Sequence, residues 1–377
     1  MRLNLTICML WATAVAAVGQ NPLKWNEIQC LGSHNSYRTN TDTRIENFVC
    51  NISDLLPKEY DPAGWAYSNA PFHQQLGLHG LRSFELDIHH DPAGGRFAKP
   101  AGRLITLRGR KLKNPDWQES GMKLFHIADF DYNTHHILFS KALTEIRDWS
   151  LQNPDHLPLA LMVELKDFGV SNVAPCWPFT PILPFDAQAI EDLEQEIHAV
   201  FGAFPNLIFT PDDFKRGQPT LEAARNNLGW PYLDEMRGKI IFIAMMGEVE
   251  KQHYKQGHTN MIGRNMFVFE DEGGPDALFV KVDDPQDEIV RIQNLVRRGY
   301  IVRTRADADT EEARSGNFDR LNAAMESGAQ MISTDFYRPS PLAGKPGWSH
   351  YKAIFPNGKS VIHNPVLRPD WSAPIAP

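Results

Sequence analysis

Short apolar runs recur along the chain, each closing on polar or charged residues: 27–32, 83–88, 123–127, 159–165, 239–244, 278–282, 300–302 and 330–333. Runs of this length, rich in Ile, Val and Phe and bounded by turn residues, suit strands buried on both faces. Between many of them, apolar residues return at helical spacing. Residues 137–151 carry Leu138, Leu143, Ile146 and Trp149, and residues 186–201 carry Ile190, Leu193 and Ile197 behind Asp186, a natural N-cap. Residues 286–298 and 315–327 read the same way, the latter stopping at Gly328. Eight strands alternating with helices predict an α/β protein, a single (β/α)8 TIM-type barrel with a core over about residues 25–336. Residues 91–122 and 167–238 are then long loops decorating the barrel, and the Pro-rich stretch 337–377 is an extension wrapping it.

In such a barrel the chemistry gathers at the C-terminal ends of the strands. His34 and Asn35 follow the first run, Glu85 and Asp87 lie on the second, and His126 closes the third. Glu164 and Lys166 end the fourth, Arg303 and Arg305 follow the seventh, and Asp335 follows the eighth. A doubly wound open sheet would collect its site near one crevice, so contributions from six strands fit a closed ring better.

Glu85 and Asp87 are two apart on one strand, so both carboxylates point to one face. Burying two like charges is costly unless a cation joins them. Glu164 would add a third carboxylate and Asn35 an amide oxygen. An all-oxygen set suits a hard cation, Ca2+ before Mg2+. A salt-bridge network with Lys166, Arg303 or Arg305 would satisfy the same carboxylates. His34 and His126, brought beside a cation, suit general acid–base attack on a phosphodiester. Lys166, Arg303 and Arg305 are candidates to hold the phosphate, or to pair with neighbouring acids.

Composition narrows the class further. The formal net charge is −8, which argues against a nucleic-acid partner. Arg2, an apolar stretch over 7–18 and the small residues before Gln20 predict a signal peptide over 1–19 and a secreted protein, extracellular or periplasmic. Of the cysteines beyond that segment, Cys30 belongs to an apolar run, leaving Cys50–Cys176 as the expected disulfide. Arg96, Lys99, Arg103, Arg108, Arg110, Lys111 and Lys113 form a basic stretch without an acid, suited to an anionic lipid surface or to a solvated hairpin.

The motifs resemble a known family. His34-Asn35-Ser36-Tyr37 and Glu85-Leu86-Asp87-Ile88-His89 look like the first and second catalytic segments of phosphatidylinositol-specific phospholipases C. Phe125-His126-Ile127, Val163-Glu164-Leu165-Lys166-Asp167 and the stretch Val302 to Asp309 extend the likeness to the calcium-dependent branch. The resemblance implies a distorted barrel, calcium dependence and a phosphoinositide substrate met at a membrane surface by a monomer. It implies attack of the inositol 2-hydroxyl on the 1-phosphate, releasing diacylglycerol and a cyclic phosphate. His34 and His126 match the catalytic pair; Asn35, Glu85, Asp87 and Glu164 match the calcium ligands. A glycerophosphodiester or sphingomyelin-type phosphodiesterase on the same barrel is the rival enzyme, and a non-catalytic barrel holding an anionic ligand is the rival outside enzymology. A glycosidase would explain the carboxylates but neither the histidines nor the cations.

Overall fold

The computed structural model describes residues 22–57, 60–109, 111–371 and 374–375. The expected signal peptide and Arg110 lie outside them. The strands are β1 (Ile28–Ser33), β2 (Ser83–Asp91), β3 (Gly121–Leu124), β4 (Leu159–Leu165), β5 (Ile240–Met245), β6 (Met266–Val268), β7 (Phe279–Lys281), β8 (Ile301–Arg305), β9 (Met331–Thr334) and β10 (Val361–His363). Eight of them run parallel in the order β6-β5-β4-β2-β1-β9-β8-β7. A parallel bridge from Phe269 to Phe279 carries β6 back toward β7, so the ring is nearly closed. The predicted barrel is therefore present.

Its membership differs from the prediction at one strand. The run at 123–127 is not a barrel stave: β3 pairs antiparallel with β2, from Ile88 opposite Leu124 to Asp91 opposite Gly121. It is apolar because this hairpin has a core of its own, where Phe97, Trp117 and Phe125 are buried together. The stave missing from the prediction is β6, only three residues long and fully buried. So short a run carries no readable alternation.

The helices form largely where apolar spacing placed them. Ala187–Phe201 is capped by Asp186, whose carboxylate accepts the Ala189 N–H, and buries Ile190, Leu193 and Ile197. The helix predicted over 315–327 begins four residues later, as Asp319–Ser327, because Gly316 at φ +75° ends the preceding helix, Glu311–Ser315.

The join between β1 and β2 shapes the ring. They pair only at Gly32–Ser83 and Ser33–Phe84. A Cβ on Gly32 would stand 2.3 Å from the Ser83 carbonyl oxygen, so only glycine permits the approach. Below it, Ile28 to Cys30 pair instead with β10, antiparallel. The C-terminal stretch thus fills the seam where two staves part, and it buries Tyr351, Ala353 and Phe355 on the way.

Cys30 is buried, whereas Cys50 and Cys176 are exposed and free, which corrects the expected disulfide. The loop bearing Cys176 is held by ring packing, Trp177 on Phe179 at 6.3 Å and Phe179 on Phe130 at 5.5 Å. Among the described residues no helix is long and apolar enough to cross a membrane.

Candidate active site

Strand register assembles the acidic cluster. Asp87 pairs directly with Glu164 on the neighbouring stave, so the two side chains share a face, and Glu85 joins them from two positions back. Ligand oxygens of Glu85, Asp87 and Glu164 all lie within 4.8 Å of one another. Asn35 lies just beyond the end of β1 in a left-handed turn, φ 42°, and its side-chain amide donates to the Tyr67 hydroxyl at 2.9 Å. Ser36 clips that turn to β2: its N–H donates to the Glu85 carbonyl and its hydroxyl accepts the Glu85 N–H, both at 2.9 Å. The Asn35 side-chain oxygen accepts from the Tyr37 hydroxyl at 3.4 Å.

The predicted cations divide among these acids. Arg303 Nη2 donates to Glu85 Oε2 at 2.7 Å and Nη1 contacts Asp283. Burial opposes ionisation of Glu85, but Arg303 and His34 outweigh it and bring its pKa down to about 2. Lys166 Nζ stands 2.8 Å from Glu164 and 3.0 Å from Asp87. Burial nevertheless pushes Asp87 up to about 8. Both Asp87 oxygens are buried without a hydrogen bond, the lysine contact being an ion pair of poor hydrogen-bond geometry. Orphaned buried carboxylate oxygens beside two further carboxylates fit a hard divalent cation.

Each candidate histidine is backed by a carboxylate. His34 Nδ1 lies 2.8 Å from Asp335 Oδ1, while Nε2 is turned inward, 3.6 Å from Glu85 Oε1. Arg305 Nη2 donates to the other oxygen of Asp335 at 3.1 Å. Asp335 is itself aimed by Asp307, which accepts the Asp335 N–H at 2.7 Å. Burial and the neighbouring Asp335 push Asp307 up to about 7. His126 Nδ1 lies 2.9 Å from Asp131 Oδ2, which also takes Arg38 Nε at 2.6 Å. Burial lowers the pKa of His126 even though Asp131 works the other way. A carboxylate on Nδ1 fixes the tautomer and leaves Nε2 for chemistry. Tyr67 ties the halves together: its hydroxyl is 3.3 Å from His34 Nδ1, and the Arg38 guanidinium lies 4.5 Å over its ring.

His34, His126, Glu164, Arg305 and Asp335 line one cavity of about 520 Å³, with Lys281 and Arg314 on its wall. A second cavity, about 280 Å³, lies on the other side of His126 and is lined by His89, Lys166 and Phe168. Of the three predicted phosphate-binding cations, Arg305 faces the first cavity and Lys166 the second. Arg303 is 1% exposed and lines neither. His126 stands two residues beyond β3, not on a barrel strand. Sequence reasoning missed Asp131, Tyr67 and Lys281. Asp131 lies five residues after His126 in a turn, where no periodicity marks it.

An eight-stave barrel whose mouth holds two carboxylate-backed imidazoles and three convergent carboxylates defines a class, the barrel phosphodiesterases. The comparisons make that class specific. The family model described as phosphoinositide phospholipase C, Ca2+-dependent, matches residues 23–365. The chain belongs to that family of phosphodiester-cleaving enzymes. No curated protein matches the sequence. Among solved structures, the calcium-dependent phosphoinositol-specific phospholipase C of the Gram-negative bacterium Pseudomonas sp. superposes in its apo form with a TM-score of 0.53 at 12% identity, covering 90% of this chain and 95% of that one. The structure of that protein described as its myo-inositol complex gives 0.52 at 13% identity, covering 91% and 96%. At such identity the likeness is one of fold.

Proposed function

We propose that the protein is a secreted phospholipase C that cleaves phosphatidylinositol, releasing diacylglycerol and a cyclic inositol phosphate. The observation that carries this reading is the opening of both dyads, His34–Asp335 and His126–Asp131, onto one cavity beside the carboxylate cluster. His34 Nε2 takes the proton of the inositol 2-hydroxyl; the imidazolium so formed lies between Asp335 and Glu85, two carboxylates that stabilise it. His126 enters the step as the imidazolium, which Asp131 on Nδ1 favours against the burial that lowers its pKa, and its Nε2 gives the proton to the departing glycerol oxygen. Arg305 orients Asp335 and faces the phosphate from the cavity wall, with Lys166 on the other side of His126 and Arg303 holding Glu85 in place. Asn35, Glu85, Asp87 and Glu164 would hold Ca2+, which neutralises charge growing on the phosphoryl oxygens when it is bound.

Phosphorus NMR of phosphatidylinositol vesicles, with calcium and then with excess chelator, tests the reading. A cyclic inositol phosphate signal that disappears on chelation is the expected result. Cleavage of glycerophosphoinositol but not of the lipid would overturn it in favour of a glycerophosphodiesterase.

A further inference from the structure

We propose that the end of the barrel opposite the catalytic mouth carries a binding site for a small oxyanion, a phosphate or a carboxylate, held by Arg82. The staves β2 and β4 start at Ser83 and Leu159, with Ser83 opposite Ala160. Arg82 and the turn 153–156 come just before them and so stand at the N-terminal ends of the strands. There they line a cavity of about 330 Å³ together with Gly77 and Trp149.

Arg82 is a buried cation without an anion. It is 8% exposed. Its backbone is fixed in the sheet, the N–H donating to the Leu31 carbonyl and the carbonyl accepting the Ala160 N–H, both at 3.0 Å. Nη1 donates to the Leu76 and Leu81 carbonyls at 3.1 and 2.8 Å, at the end of the helix Phe72–Gly77. Both acceptors are neutral. Burial brings the guanidinium pKa down to about 10, and the one group working the other way is the Cys30 thiol. Burial pushes that thiol up to about 12, so it carries no charge either. Asp155, also on the cavity wall, is exposed and does not act on Arg82. Buried charges in folded proteins are paired, so the missing partner points to a ligand.

The free edge of the guanidinium selects its kind. Nε and Nη2 lie side by side on that edge. Nε is buried without a partner; Nη2 also makes no hydrogen bond but is not fully buried, so it is the atom the cavity reaches. Two parallel N–H groups match two oxygens of one phosphate or carboxylate. A water molecule would fill the space without neutralising the charge. Trp149 steadies the fork, its ring 5.4 Å from the guanidinium. His156 adds no competing charge. Its Nε2 is held by the Ser150 hydroxyl at 2.7 Å and its Nδ1 by the Leu157 carbonyl at 2.6 Å, and burial brings it down to about 4.

Hydrogen exchange read by mass spectrometry tests the site, with chelator present throughout. Wild type, Arg82→Met and Gly77→Glu are compared in sodium chloride, inorganic phosphate and acetate at equal ionic strength. A Cβ on Gly77 meets only Trp149 Nε1, at 3.7 Å, so the glutamate offers Arg82 a tethered carboxylate while leaving its carbonyl contacts in place. In wild type, segments 76–82 and 153–157 should exchange about tenfold more slowly when the anion stands at ten times its Kd. Protection by phosphate alone assigns a phosphate ligand, and protection by acetate alone a carboxylate. Gly77→Glu should be protected there in chloride and gain nothing from either anion, and Arg82→Met should not respond. Responses at the catalytic mouth, where Arg305 and Lys166 also meet phosphate, should be the same in all three. Segments indifferent to both anions in wild type overturn the proposal, as does a Gly77→Glu variant that still responds in full. That variant decides the matter should Arg82→Met fail to fold, since Arg82 also fastens two carbonyls.

Discussion

Lys166 offers the same carboxylates a tethered ammonium in place of a metal. Its Nζ lies within 3.0 Å of Asp87 and within 2.8 Å of Glu164, so calcium must compete with it. Lys166→Met is therefore expected to bind calcium about tenfold more tightly by titration calorimetry at a pH above the Asp87 value, a difference of about 1.4 kcal/mol. Unchanged or weaker binding would show that the lysine does not compete. Asp87 also sets a pH dependence. Burial holds it near 8, so below that value its carboxyl carries a proton that calcium must expel. Affinity should rise by up to about tenfold per pH unit as pH approaches 8 and level off above it, with proton release visible in buffers of different ionisation enthalpy. The dyads give a third expectation. His34→Ala and His126→Ala should each lose about a hundredfold or more in kcat. Asp131→Asn should lose less in rate while leaving KM for the soluble ester unchanged, as suits a residue that orients an imidazole.

At the level of elements, β1 is what brings His34 and Asn35 to the mouth, and its hold on β2 is two residues long. Gly32→Ala should force these staves apart, since the new Cβ would meet the Ser83 oxygen at 2.3 Å. A loss of about 1–3 kcal/mol, read as a lower urea midpoint, is expected together with reduced turnover. Wild-type stability would show that the seam yields freely, with β10 adjusting to the wider gap. The hairpin of β2 and β3 shows why one stave was misplaced. Its apolar residues are buried by a local cluster of aromatic rings, and periodicity cannot distinguish that burial from burial inside a barrel. β4, by contrast, was legible to the residue, because five apolar positions in a row, 159–163, and Leu165 after Glu164 suit a strand buried on both faces.

The whole molecule gathers three carboxylates at the barrel mouth and leaves both Asp87 oxygens without a hydrogen bond, a need that a bound cation would meet. Calcium bound only by the folded chain should raise the midpoint of thermal unfolding, by about 2.7 kcal/mol of stability at a hundredfold excess over Kd, and chelation should reverse the rise. A midpoint indifferent to calcium would remove the cluster from consideration as the metal site. The sequence by itself determined the parallel β/α class, seven of the eight staves, and the period-two spacing that puts Glu85 and Asp87 on one face of β2. Those features are local: buried runs, period-two spacing and residue chemistry are all written in contiguous stretches. Tertiary structure alone decided the rest. Asp131 reaches His126 across a turn, Asp335 reaches His34 across 301 positions of chain, and Arg303 is drawn into the barrel by Glu85 from a distant stave. Such partners are chosen by distance and burial in the folded ring, which no local pattern encodes.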